Sequence, residues 1–135
     1  MTFIQFFYLY LMTIPAFLLI DMLWLGTVAT KFYQSQIGFL LGPVNWVAAI
    51  VFYLIYIVGI IIFAVHPALE AGSLGKAVML GALFGFFAYA TYDFTNLATI
   101  KDWPVLVTVV DLIWGTVLTS SVAAVSYYLG KTFLL

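Results

Sequence analysis

Three aspartates stand inside long apolar stretches of this 135-residue chain, at Asp21, Asp93 and Asp111. A carboxyl group near the centre of a membrane helix costs about 2.5–3.5 kcal/mol on insertion scales. Carboxyl groups kept in such positions bind protons, cations or polar ligands, or they hydrogen-bond one helix to another. The three aspartates are therefore the first candidates for a functional site.

The three aspartates are predicted to lie at one depth. Asp21 precedes Lys31 by ten residues, and Asp93 precedes Lys101 by eight. Asp111 follows Lys101 by ten residues in the opposite direction. At 1.5 Å per residue, all three carboxyls lie roughly 12–15 Å from the boundary that the lysines mark. Three carboxyls sharing a low-dielectric interior cannot all be ionised, so some of them are expected to hold protons.

Aromatic and amide side chains accompany the aspartates at helical spacing. An offset of three or four residues places two side chains on one face of a helix, and such offsets link each aspartate to a Trp, Tyr or Asn. The site is predicted to suit a proton, a metal cation, an ammonium group, or a lipid hydroxyl or ester. The candidate ligand- or proton-binding residues are Asp21, Asp93, Asp111, Trp24, Asn96, Trp114, Tyr53, Tyr56, Tyr89 and Tyr92.

A purely structural role for the aspartates stays open. Protonated Asp can hydrogen-bond to a neighbouring helix, because polar groups hold helices together in lipid. Small residues at Gly81 and Gly85 form a ridge that lets another helix approach closely. That helix belongs either to this chain or to a second copy in a homodimer.

Composition excludes several classes of protein. Hydrophobic residues make up 67% of the chain and charged residues only 7%, whereas soluble domains carry roughly a quarter charged residues. A basic face for nucleic acid is absent from the sequence. With no Cys and one His, a thiolate or multi-histidine metal site is excluded, and we predict no dedicated metal site. No nucleotide-binding or hydrolase motif identifies a cofactor.

The charge-free runs predict an all-α fold, an integral membrane four-helix bundle in one domain over residues 1–135. A membrane helix needs about 20 mostly apolar residues, and the predicted spans are about 3–29, 44–66, 77–100 and 104–130. Four spans place both termini on one side. Two lysines flank each side, so the positive-inside rule gives a tie, and the charge of the amino terminus weakly favours cytoplasmic termini. Residues 34–43 are expected to lie in the interface or to dip back over the aspartates.

The whole chain resembles an uncharacterised bacterial family of small four-span predicted membrane proteins, a domain of unknown function. Length and span layout carry the resemblance, together with three motifs, Asp21-x-x-Trp24-x-Gly26, Tyr92-Asp93-Phe94-Thr95-Asn96 and Asp111-x-x-Trp114-Gly115. The resemblance implies a bacterial inner (cytoplasmic) membrane and suggests a role in lipid or stress physiology. It supplies no catalytic residues.

Three hypotheses for function follow from these patterns. In the first, the protein binds or transports a proton-linked cationic or amphiphilic small molecule, or a lipid, at the aspartate site. In the second, it is a membrane-embedded enzyme that modifies lipid, with the carboxyls as general acid and base or as ligands to one divalent cation. In the third, it is a structural or partner subunit. Its expected partners are the lipid bilayer and a small-molecule or lipid ligand, with no nucleic acid.

Overall fold

The computed structural model describes all residues from 1 to 135. It contains no strand and four long helices, each apolar and long enough to cross a membrane. Their bounds are Phe3–Leu40 for α1, Trp46–Ala71 for α2, Leu74–Thr99 for α3 and Val105–Phe133 for α4. The prediction of an all-α membrane bundle with four helices is confirmed.

Local capping sets where three of the helices begin. Thr2 and Gln5 form a reciprocal capping box at the start of α1. The side chain of Asn45 accepts a hydrogen bond from the third backbone N–H of α2, and that of Ser73 does the same for α3. Gly72 ends α2 in a left-handed conformation (φ 62°), which costs a glycine little. Short connections of this kind force neighbouring helices to run antiparallel.

The two chain ends lie together. The Gln5 side-chain amide donates a hydrogen bond to the Leu134 carbonyl over 2.9 Å. Both termini and the α2–α3 turn therefore occupy one end of the bundle, called the terminal end. The other end, called the aspartate end, carries the α1–α2 connection after Leu40 and the α3–α4 connection after Thr99.

The surface of the bundle is more apolar than its interior. Only 29 of 135 residues are buried, and they include three aspartates, four threonines or serines and several glycines. Large apolar side chains such as Phe87 and Ile113 are 62% exposed. A surface of this kind is stable in lipid, which solvates apolar side chains but offers no partner to polar groups. The exposure pattern therefore agrees with four membrane spans.

Helices α3 and α4 meet through small residues toward the terminal end. A Cβ at Gly81 would lie 2.8 Å from the Ala123 Cβ, and one at Gly85 would lie 2.7 Å from the Thr119 Cβ. The backbone of α4 thus sits directly on the predicted glycine ridge. The ridge serves a contact within the chain, and a homodimer through the same surface would have to displace α4.

Buried hydrogen bonds join the other helices to α4. The Thr13 and Ser126 hydroxyls are 2.8 Å apart between α1 and α4. The Tyr56 and Thr119 hydroxyls, also 2.8 Å apart, join α2 to α4. Because lipid offers no alternative partner, each hydrogen bond fixes the register of two helices. Helix α4 is therefore the central element of the bundle.

Helix α1 is longer than its predicted span. Lys31 suggests an end near Ala29, but the helix continues to Leu40, which at 1.5 Å per residue gives a length of about 57 Å. Most of the segment expected to lie in the interface is therefore helical. Ile37 packs against Trp103 and Val107 where α4 begins. This contact anchors the extension of α1 to the aspartate end.

Candidate functional site

A chamber of about 220 Å³ lies between the helices at the aspartate end. Asp21 is the one residue of its lining with an ionisable carboxyl, and most of the other lining residues are aromatic. All four helices contribute to it. The lining consists of Asp21, Trp24, Leu25, Tyr33, Ala49, Phe52, Tyr53, Tyr89 and Trp114.

Asp21 is the acidic residue of the chamber. Its side chain is 6% exposed and lies beside the Tyr53 hydroxyl and the Trp114 indole. The chain has no Arg, and its four lysines are all exposed. The one ion pair, between His66 and Glu70, lies toward the terminal end of α2. Asp21 therefore has no positively charged side chain to neutralise it.

Two tryptophans form one wall of the chamber. The Trp24 and Trp114 rings are stacked, with centroids 4.7 Å apart and planes 13° from parallel. The Trp24 indole N–H is buried and donates to no acceptor in the protein. Buried indole N–H groups normally find a partner. The chamber wall thus carries an unused hydrogen-bond donor as well as a large aromatic face.

Asp93 and Asp111 form a second acidic feature beside the chamber. The two carboxyls are neighbours, on α3 and α4. Asp111 accepts a hydrogen bond from the Tyr33 hydroxyl. Asp93 is fully buried, and neither of its carboxyl oxygens has a hydrogen-bond partner. An isolated ionised carboxylate is very costly in such a place, so a protonated, neutral Asp93 beside Asp111 is the simplest stable arrangement.

A wide turn in α1 brings Tyr33 to this pair. Twelve residues of regular α-helix would place Tyr33 about 120° around the axis from Asp21. Residues Leu25–Ala29 form a π-helical turn, which absorbs about one residue and reduces that angle to about 20°. The Thr30 hydroxyl supports the turn by donating to the Leu25 carbonyl over 2.8 Å. Asp21 and Tyr33 consequently face the same chamber.

The α3–α4 connection holds Asp93 in place. The Trp103 indole donates to the Thr108 hydroxyl over 3.1 Å, and that hydroxyl lies 3.5 Å from the Asp93 carbonyl. Trp103 is itself buried. The first turn of α4 is thereby fixed against the backbone that carries the Asp93 carboxyl.

Comparison with protein families identifies the chain. Residues 6–128 match the model of the family described as "Predicted membrane protein (DUF2177)". The chain belongs to the DUF2177 family. The match covers most of each of the four helices and every residue of the chamber, and it agrees with the resemblance seen in the sequence. No curated protein and no solved structure matches the chain.

The structure divides the aspartates that the sequence groups together. Asp93 and Asp111 are adjacent, whereas Asp21 lies apart, and the three are not close enough to hold one metal ion. Tyr89 lies between the two acidic features, near both Asp21 and Asp111. This DUF2177 protein thus has a single acid in the chamber and a pair of acids beside it.

The other predicted site residues fall into two groups. Trp24, Trp114, Tyr53 and Tyr89 line the chamber. The remaining three lie outside it. Tyr56 is buried deeper and bonds to Thr119, while Tyr92 is 59% exposed and lies beside Asn96.

Sequence reasoning missed Tyr33 and Phe52 in this family member. Tyr33 follows Lys31, which marks the predicted membrane boundary, yet a lysine can extend its side chain to the interface from inside a helix. The absence of Pro between residues 16 and 42 is the signal for a continuous helix. Phe52 gives no such signal, because it resembles every other apolar residue of α2.

Proposed function

We propose that this protein binds an organic cation at Asp21, in exchange for a proton. The observation that carries the proposal is a buried carboxyl without a positively charged side chain, placed in a chamber with aromatic walls. Such a carboxyl needs a counter-charge from outside the chain. Both a proton and a cationic ligand supply one.

The aromatic wall favours an organic cation over a hydrated metal ion. Aromatic faces attract ammonium groups through the ring quadrupole, most strongly when water is excluded. The stacked Trp24 and Trp114 rings offer one such face, and Phe52 and Tyr89 belong to the same lining. An alkylated ammonium has no N–H or few N–H groups to satisfy, so an apolar aromatic chamber suits it. The volume of about 220 Å³ fits a headgroup of this size.

The Asp93–Asp111 pair adds a place for the proton. Tyr33 belongs to the chamber lining and also donates to Asp111. A cation that moves Tyr33 changes the hydrogen bonding of the pair. Alternate occupancy by cation and proton is what a proton-linked transporter requires, so we extend the proposal from binding to transport.

Binding of tetramethylammonium to purified protein tests the proposal, with the tryptophan fluorescence of the chamber wall as the readout. This probe keeps its charge at every pH. At low pH a proton occupies Asp21 and competes, so affinity rises with pH by up to tenfold per unit. We expect Asp21→Asn to weaken binding at least tenfold and to remove most of this pH dependence.

The matched control is Asp102→Asn in the α3–α4 connection. Asp102 is exposed and has a positive φ (62°), which Asn also tolerates. The control protein should bind like the wild type and should release protons when tetramethylammonium is added to an unbuffered sample. Equal binding and equal pH dependence in the wild type and Asp21→Asn would refute the proposal.

We also propose a location, a bacterial inner membrane with both termini in the cytoplasm. The resemblance supports the membrane, and the shared end of the termini supports a single side for both. Because the chain has no Cys, one cysteine at either terminus can be labelled in intact cells with an impermeant reagent. Labelling only after cell disruption is expected, and labelling of intact cells would reverse the orientation.

A further inference from the structure

A groove runs beside the chamber between α2 and α3. It has a volume of about 350 Å³, within the size range of small-molecule pockets. Phe52, Ala88, Tyr89 and Tyr92 line it. Phe52 and Tyr92 are about half exposed on the outer surface of the bundle. The groove therefore opens sideways, toward the lipid.

The groove exists because α2 and α3 separate toward the aspartate end. Their contact is concentrated in the Ile61–Val65 turn of α2. The last point of close packing is at Gly59, where a Cβ would lie 2.8 Å from the Phe84 ring. Beyond this point only aromatic rings partly fill the gap, including the stacked Phe52 and Tyr56. The gap is closed at its deep end and open at its side.

Groove and chamber share two side chains. Phe52 and Tyr89 line both spaces, so these two rings lie between them. The chamber contains the Asp21 carboxyl, whereas the groove presents an almost entirely apolar surface. A single molecule with a charged head and an apolar tail matches this order of surfaces.

We propose that the natural ligand is an amphiphile with an ammonium head and an alkyl tail, whose tail lies in the groove between α2 and α3. The proposal rests on the proposed cation site at Asp21. The head occupies the chamber, the tail passes between Phe52 and Tyr89, and the remaining hydrocarbon continues into the bilayer. The ligand reaches the site from the lipid and needs no aqueous path.

The tail gains little from the hydrophobic effect, since lipid is as apolar as the groove. The contribution of the tail comes from packing and from holding the head near Asp21. The test therefore compares how protein variants bind the same ligand, and does not compare ligands with alkyl tails of different length. Dodecyltrimethylammonium and tetramethylammonium are bound to the protein in lipid nanodiscs. Ala88→Leu and Ala88→Phe fill the groove in two steps. Leu83→Phe is the control, at an exposed position of α3 outside the groove.

We expect Ala88→Phe to weaken dodecyltrimethylammonium at least threefold, Ala88→Leu to have a smaller effect, and both to leave tetramethylammonium within twofold. Partition into the nanodisc is the same for every variant and cancels in the comparison. Equal binding of dodecyltrimethylammonium by wild type and both Ala88 variants would overturn the tail site. An equal loss in Leu83→Phe would overturn it as well.

The two proposals fail in different ways. If tetramethylammonium binding does not depend on Asp21, the cation site is wrong whatever the Ala88 variants show. If it depends on Asp21 and dodecyltrimethylammonium ignores Ala88, the cation site stands and the tail site falls. Thermal unfolding of each variant shows whether a loss of binding reflects a loss of fold, and in that case the smaller Ala88→Leu change decides.

Discussion

The two halves of the bundle are built on different principles. Toward the terminal end, α3 and α4 meet backbone to backbone at Gly81 and Gly85, and hydroxyl pairs join the other helices to α4. Toward the aspartate end, large aromatic side chains keep the helices apart around the chamber and the groove. One half is closed by small residues, and the other is held open by large ones.

This difference shows how a small membrane protein can be stable and still contain a cavity. In lipid, helices associate through close packing and interhelical hydrogen bonds, with little hydrophobic driving force. The terminal half supplies both. The aspartate half is thereby free to keep a buried acid without partners, such as Asp93. Adding volume in the terminal half should therefore lower the free energy of unfolding, whereas removing a buried acid from the aspartate half should raise it.

The largest effect is expected from Gly85→Ala in the closed half. The new Cβ would lie 2.6 Å from the Thr119 hydroxyl and would run into the Gly115 carbonyl. Such overpacking should lower the free energy of unfolding by about 3 kcal/mol, measured by SDS titration in mixed micelles. Gly26→Ala is the control, since nothing lies within 4 Å of its Cβ. Equal stability of the two variants would show that the halves do not differ in this way.

A smaller effect of opposite sign is expected from Asp93→Leu in the open half. Removing a buried carboxyl that has no hydrogen-bond partner should raise the free energy of unfolding by about 1–3 kcal/mol. Asp111→Leu should not stabilise the protein, because it leaves the Tyr33 hydroxyl without its hydrogen-bond acceptor. The same titration decides, and a destabilised Asp93→Leu protein would support the structural role of the aspartates instead.

The smallest effect is expected from Tyr33→Phe, which removes one hydrogen bond to Asp111. We expect a loss of about 1 kcal/mol, confined to the extension of α1. Hydrogen exchange of residues 30–40 should speed up while the terminal half is unchanged. Tyr128→Phe, at an exposed position, is the control. Faster exchange in both halves would show that the extension is not an independent unit.

The sequence predicts the membrane class and most of the chamber from simple signals. Charge-free runs identify the four helices, and helical offsets place Trp24 with Asp21 and Trp114 with Asp111. The rule that same-face residues lie three or four apart fails on the regular helix α3, where Tyr89 lines the chamber but Tyr92 is exposed outside it, and again where α1 is irregular. The π-turn at Leu25–Ala29 changes which residues of α1 face inward, so Tyr33 could not be assigned.

Depth along each helix follows from residue count, so the sequence by itself predicts that the three aspartates share one layer. Rotation about each helix and separation between helices depend on packing, so only the tertiary structure decided which acids meet. The close approach of α3 and α4 pairs Asp93 with Asp111. The separation of α2 from α3 leaves Asp21 alone in an aromatic chamber, beside a groove that opens at the outer surface of the bundle.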